Sequence, residues 1–401
     1  MNRWLTVVGI GDDGLDGLAP ATRALVESAE AFIGGERHLA MLPDDGREKL
    51  AWPSPLLAVV DQIAARRGRR LCVLATGDPM CYGIGVTLAK RIPFDEMTVV
   101  PAPSAFSLAC ARLGWPLADI DTLTLHGRPV DLIQPLIQPG ARLMALSDSG
   151  DTPAEVARLL LARGYGDSPV TVLEHMGGPA ETIVTATAAA WADRRAADFN
   201  TIAVECLAGP GAEHLPRVAG LPDHAFVHDG QMTKREVRAA TMAALGPTPG
   251  AKLWDVGAGC GSVAVEWMRA ARGSTAVAVE RDAGRCAMIA RNALALGVPG
   301  LRIVEGVAPA ALDGLDPPDA VFIGGGITAA GVAEACWTAL GPRGRLVANA
   351  VTIAGEARLG ALQADHGGTL TRIAVSRAEP VGGHLGWKPM MAVTQWQAVK
   401  P

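Results

Sequence analysis

Leu253-Trp254-Asp255-Val256-Gly257-Ala258-Gly259-Cys260-Gly261-Ser262 runs from an apolar stretch through three alternate glycines into a helix-compatible segment. The order reads as a strand, a tight turn and a helix start. In that arrangement glycine lets backbone approach a ligand closely, and free N–H groups at the helix N-terminus face it. Glu280 closes the next strand-like run, where a carboxylate can accept both hydroxyls of an adenosine ribose. A dinucleotide fingerprint requires glycine at 262, and serine stands there instead. Asp255, at the end of the first strand, sits badly beside a pyrophosphate and well beside the ammonium of a bound amino acid.

Outward from this turn, strand-like runs occupy 252–256, 275–280, 301–305, 319–323, 345–350, 369–376 and 391–397. Helix-compatible stretches such as 261–272, 283–296 and 328–340 separate them, and this alternation predicts a parallel sheet covered on both faces. The Gly/Pro-rich stretch 377–389 predicts a helix-free loop joining an antiparallel final pair of strands. Periodicity lapses over 207–230, which holds Pro210, Pro216 and Pro222 and reads as a linker between modules at 1–206 and 231–401.

The front module also alternates, with strands at 4–10, 71–75 and 97–100 and helices at 19–29, 86–91 and 105–113. Closer-spaced strands at 122–125, 141–146, 170–174, 182–185 and 201–205 predict a second, mixed lobe with a cleft between the two. Gly9-Ile10-Gly11-Asp12-Asp13-Gly14 spells a dinucleotide fingerprint in the wrong context. Residues 15–20 delay the helix, Pro20 suits its first turn, and two carboxylates repel phosphate.

With 49% hydrophobic and 19% charged residues the composition is that of a folded α/β protein. A net charge of −5 argues against a nucleic-acid surface. Seven dispersed cysteines without a C-x-x-C pair predict reduced thiols, and eight histidines without an H-x-x-x-H ladder predict no metal site. Met1-Asn2-Arg3-Trp4 leads straight into a strand with no leader pattern, and no apolar run reaches the ~18 residues of a membrane span. A cytoplasmic protein free of membrane contacts is expected.

The G-x-G-x-G spacing, the seven strands and the terminal antiparallel pair resemble the class I S-adenosylmethionine (SAM) methyltransferases, a Rossmann-like fold. In front, Thr76-Gly77-Asp78-Pro79-Met80-Cys81-Tyr82-Gly83 and Pro101-Ala102-Pro103-Ser104-Ala105-Phe106-Ser107 each follow a strand. They resemble the tetrapyrrole methylases, a bilobal fold, over about residues 3–206. The front resemblance implies that Asp78, Cys81, Ser104 and Ala105 line a SAM pocket while the loop around Gly11 faces a tetrapyrrole. The rear one implies a SAM site of Asp255, Gly257, Ala258, Gly259, Cys260, Gly261 and Glu280, with Thr233 at the methionine end. Valine fills the usual acidic place after the third rear strand, which leaves adenine to the backbone of Val307 and Ala308. Gly325, after the fourth, lies where substrate enters.

Fusion in this order, with Leu113-Gly114-Trp115-Pro116, Leu125-His126-Gly127-Arg128-Pro129 and the run from His228 to Glu236, resembles the fused decarboxylating methyltransferases of corrin biosynthesis. That resemblance implies one SAM per module, methylation of a reduced tetrapyrrole at C5 in front and C15 behind, loss of the C12 acetate carboxyl as CO2, and a homo-oligomer. A substrate rich in carboxylates calls for arginines. Arg112 and Arg128 in front and Arg235 and Arg238 behind are the candidates, and His384 is placed to close over substrate. No general base follows from the sequence. An RNA methyltransferase would need a basic face and salt-dependent binding. A nicotinamide oxidoreductase is opposed by Ser262, and a SAM sensor without catalysis would need no second pocket.

Overall fold

The computed structural model describes residues 3–52, 58–191 and 194–401, so residues 1 and 2 of the run read for a leader lie outside it. The chain divides into one unit of residues 1–130 with 139–212 and another of 131–138 with 213–401.

In the first unit β1 (Leu5–Ile10), β2 (Ala31–Gly34), β3 (Glu48–Ala51), β4 (Leu71–Thr76) and β5 (Met97–Val100) form a parallel sheet in the order β3-β2-β4-β1-β5. The central strands are near-continuous apolar runs because both faces are covered. β2 and β3 escape sequence reading, since four residues each carry too little periodicity. The second lobe has β6 (Asp121–Thr124), β7 (Arg142–Leu146), β8 (Pro169–Glu174), β9 (Thr182–Thr187) and β10 (Asn200–Glu205) in the order β6-β7-β10-β8-β9. Among the described residues only β6 and β7 pair in parallel there, which makes the lobe mixed as its close strand spacing predicts.

The second unit is built on β11 (Lys252–Val256), β12 (Thr275–Glu280), β13 (Arg302–Glu305), β14 (Ala320–Ile323), β15 (Arg345–Ala350) and β16 (Thr369–Ile373). A two-stranded ribbon, β17 (Ser376–Val381) and β18 (His384–Pro389), precedes the last strand, β19 (Val393–Val399). The seven-stranded order is β13-β12-β11-β14-β15-β19-β16, with β19 antiparallel to both neighbours. The ribbon corrects the expected loop over 377–389. Six backbone-paired positions from Ser376↔Pro389 to Val381↔His384 continue to a turn in which Gly382 takes φ +60°. Its Gly/Pro content marks the turn and the strand ends.

Residues 213–230 are not a free tether, because Leu215, Leu221 and Phe226 are buried in the core of the second unit. Residues 131–138 join the same unit, since Gly297 leaves room for them: a Cβ there would lie 2.3 Å from Pro135 Cδ and 2.9 Å from the Asp131 carbonyl oxygen. Among the described residues no helix is long and apolar enough to cross a membrane.

Candidate active sites

In both units the first strand lies where connections leave in opposite directions, so the loops at its carboxyl end and its neighbours' converge on a crevice. Behind, these are the glycine turn after β11 and the loop after β14. All three glycines of the turn are left-handed, at φ +68°, +60° and +77°. A Cβ on Gly257 would lie 2.8 Å from the backbone of Gly325, and one on Gly261 2.9 Å from Ile289, so neither tolerates a side chain. Gly259 differs, because a Cβ there would meet only the Gln231 carbonyl oxygen, at 3.2 Å. The turn is thus closed on two sides and, less tightly, lies against the segment that carries Thr233 on the third.

Asp255 is 1% exposed. Its Oδ2 accepts the Ala264 N–H at 3.0 Å, while Oδ1 is buried with no hydrogen-bond partner among the described residues. Burial pushes this carboxyl up to about 7, and the nearby Glu280 charge adds to the rise. An unmatched buried acceptor is costly, and a cationic ammonium would satisfy it. The residues therefore fit the amino-acid end of SAM. Glu280 holds the turn by accepting the Gly259 N–H at 2.8 Å with one oxygen and those of Arg281 and Asp282 at 2.9 and 3.1 Å with the other. The Cys260 thiol is buried in the core, which leaves only its backbone to a ligand. Val307 is 65% exposed beyond β13, and Ala308 is half-buried beside it.

The supports of this site carry no sequence motif. Asn292 clamps the approach to it, with Oδ1 accepting the Val227 N–H and Nδ2 donating to the carbonyls of Val227 and Cys260. Arg238, fully buried, donates to Glu266, to Asp223 and to the carbonyls of Thr233 and Leu221. That corrects its reading as a substrate arginine: its helix turns it inward, and it fixes the Thr233 segment. A mid-helix Asn and a paired Arg and Glu are the signals sequence reading passes over. Arg235 is exposed at the start of the same helix, and His384 is exposed at the ribbon turn.

In front, Gly9 is hemmed in by backbone. A Cβ there would lie 1.9 Å from the Gly77 carbonyl oxygen and 2.5 Å from the Ala102 N. The three loops after β1, β4 and β5 are laced at this point, with Gly77 N–H donating to Ile10 and Ala102 N–H to Gly77. Beside them lies a cleft of about 900 Å³, a size suited to a cofactor or substrate. Gly11, Asp78, Cys81, Ser104, Ala105 and Arg128 all line it. Ser104 caps the helix Ala105–Leu113 through the Ser107 N–H at 3.1 Å, and Asp78 accepts the Met80 N–H at 2.8 Å. Burial, with Asp78 beside it, raises the Cys81 thiol. Arg112 is not among the lining residues. Its Nε and Nη2 hold Glu181 and its Nη1 donates to the Leu108 carbonyl, and this pairing holds Glu181 at about 2.

Two family descriptions match the chain: tetrapyrrole (corrin/porphyrin) methylases over residues 4–192 and a precorrin methyltransferase domain over 224–400. A Sinorhizobium precorrin-6Y C(5,15)-methyltransferase [decarboxylating] is 49% identical, with 99% of this chain and 96% of the relative covered. A Mycobacterium tuberculosis protein of the same name is 43% identical over 99% of this chain and all of its own length. A Salmonella typhimurium cobalt-precorrin-7 C(5)-methyltransferase is 35% identical over 45% of this chain and 88% of its own.

Proposed function

The chain belongs to the family of decarboxylating precorrin-6Y C(5,15)-methyltransferases, and from that membership we propose how its two units divide the reaction. The protein is a SAM-dependent C-methyltransferase of cobalamin biosynthesis. It methylates precorrin-6B at C5 and C15 and removes the carboxyl of the C12 acetate, giving precorrin-8X. Residues 1–206 act at C5 and residues 231–401 at C15 and the acetate, with 213–230 packed into the core of the latter, and each module has its own SAM. The observation that carries the pairing is the presence, on one chain, of a cleft of about 900 Å³ within the tetrapyrrole-methylase match and a second cradle with a buried carboxylate oxygen left unpaired among the described residues.

Bound SAM supplies a methyl group on sulfonium, already electrophilic. The chain's part is to bind and orient, which can lower a barrier by up to roughly 7–11 kcal/mol. Behind, Asp255, Glu280, Thr233 and the turn Gly257 to Gly261 would hold the donor, with Val307 and Ala308 at its adenine and Gly325 toward the substrate. In front, Asp78, Cys81, Ser104 and Ala105 would hold it, with Gly11 and Arg128 toward the macrocycle. Arg235 and His384, both exposed, would meet substrate at the rear.

Mass spectrometry of the product made with methyl-labelled SAM tests the assignment. Two labelled methyls and the loss of one CO2 are expected from the full chain, and calorimetry should count two donors per chain. In Asp255→Asn the label at C15 should vanish first. A variant that instead loses only the C5 label would reverse the division of labour.

A further inference from the structure

The geometry points to His175, oriented by Asp12, as the group that takes up the proton released when carbon is methylated in the front cleft. The inference rests on reading that cleft as the C5 site. Asp12 follows β1 and His175 follows β8, so the two come from opposite lobes, and both line the cleft. One Asp12 oxygen is held by Arg37, and the other lies 3.2 Å from His175 Nδ1. Space for this contact depends on Gly178, where a Cβ would lie 2.5 Å from the same Asp12 oxygen. His175 is held at φ +47°, uncommon for a side chain of this size, with its N–H on the Phe199 carbonyl and its ring edge-on to Phe199 at 5.6 Å. The Arg37 guanidinium also lies over the Phe199 ring, 4.2 Å from its centroid.

A carboxylate at Nδ1 assigns the proton of the neutral imidazole to that nitrogen and leaves a lone pair on Nε2. Nε2 has no hydrogen-bond partner among the described residues, and the side chain is one-third exposed, so it can reach both substrate and water. Of the other titratable groups around the cleft, His126 also turns Nδ1 to a carboxylate, that of Asp148 at 3.4 Å, but its side chain is 76% exposed and water competes for its second nitrogen, while Tyr82 donates to the Thr122 carbonyl. His38 is held near 4 by burial and by Arg37, and its Nε2 faces Thr76 and Arg37. Asp78 serves the Met80 N–H, Asp148 the Gly127 N–H and His126, and Asp198 the Gly150 N–H and Arg195. Cys81 is kept protonated by burial.

The step balances as follows. C5 contributes the electron pair of the new C–C bond, and the pair of the broken C–S bond stays on sulfur. The positive charge thereby passes to the methylated macrocycle, which becomes neutral by losing one proton. His175 Nε2 accepts that proton and releases it to water, while Asp12 stabilises the imidazolium between the two transfers.

His175→Asn in the full chain keeps an N–H toward Asp12 and tolerates positive φ. The C5 rate at saturation should fall about 100-fold or more, with KM for the tetrapyrrole within about threefold, and the acid limb of the kcat–pH profile should disappear. NMR of the imidazole gives a readout without turnover: in the neutral ring of the wild type the proton should sit on Nδ1, and in Asp12→Asn, where Arg37 keeps the amide oxygen and the amide N–H faces the ring, it should move to Nε2. A His175→Asn rate within about threefold of the wild type, a persistent acid limb, or a tautomer unchanged in Asp12→Asn would overturn the dyad. A wild-type chain that labels only C15 would instead overturn the reading of the cleft, and the tautomer would still decide whether Asp12 and His175 are coupled.

Discussion

The two glycine turns of this protein stand at the same place in their folds and are used in opposite ways. Each follows the first strand of a sheet and leads toward a helix. Behind, the helix Ser262–Ala270 opens at once, Gly259 lies against the backbone of the segment carrying Thr233, and a buried carboxylate oxygen has no hydrogen-bond partner among the described residues. In front, the α-helix waits until Pro20, and the exposed Asp13 folds back over the turn: its carboxylate lies within 2.5 Å of where side chains would start on Gly11 and Gly17. Front glycines thus serve backbone packing and a local carboxylate, whereas the middle rear glycine lets the backbone of the Thr233 segment lie against the turn. What fills the space vacated by the missing side chain decides the function of such a turn.

Gly9→Ala should break the contrast most severely. Its Cβ has only rigid backbone to displace, so a loss of about 4 kcal/mol or more, read by urea unfolding of the front unit, is expected. Gly259→Ala should cost only about 1–2 kcal/mol, for its left-handed φ, while weakening SAM binding at the rear out of proportion. Equal destabilisation by the two would erase the distinction.

Next in size is Asp255→Asn, for which calorimetry should find rear affinity for SAM weaker by about 100-fold, roughly 3 kcal/mol. Ligand-free stability should move the other way. With a folded pKa of about 7 above an ordinary 3.8, the native protein holds a proton the unfolded chain has shed, so stability falls as pH rises between those values. The asparagine variant should lack that fall and melt higher than wild type at pH 8, but not at pH 4. Identical melting profiles would show that Asp255 carries no such penalty.

Arg112→Ala sharpens the comparison at smaller scale. Glu181, held at about 2 against an ordinary 4.5, contributes stability that is full above 4.5 and lost as pH falls toward 2. The pair is partly solvated, so about 1 kcal/mol is expected, absent at low pH, with KM for the tetrapyrrole nearly unchanged. A large rise in KM without a stability change would return Arg112 to substrate binding. Smallest is His384→Ala, at the exposed ribbon turn, which should shift stability by less than about 0.5 kcal/mol. Any loss should appear in KM at C15 alone.

Sequence alone carried the α/β class, the seven strands behind, the mixed front lobe and the glycine turn with Asp255 and Glu280, because these are written as local periodicity and short motifs. The ribbon at 376–389, the strands of four residues and the inward-facing Arg238 were not legible, since pairing, edge position and helix rotation depend on neighbours distant in the chain. Nor was the meeting of Asp12 with His175, 163 residues apart and on different lobes. Spacing along the chain records which groups a strand–turn–helix presents. Only folding decides which groups from other segments face them, and proton transfer depends on that second choice.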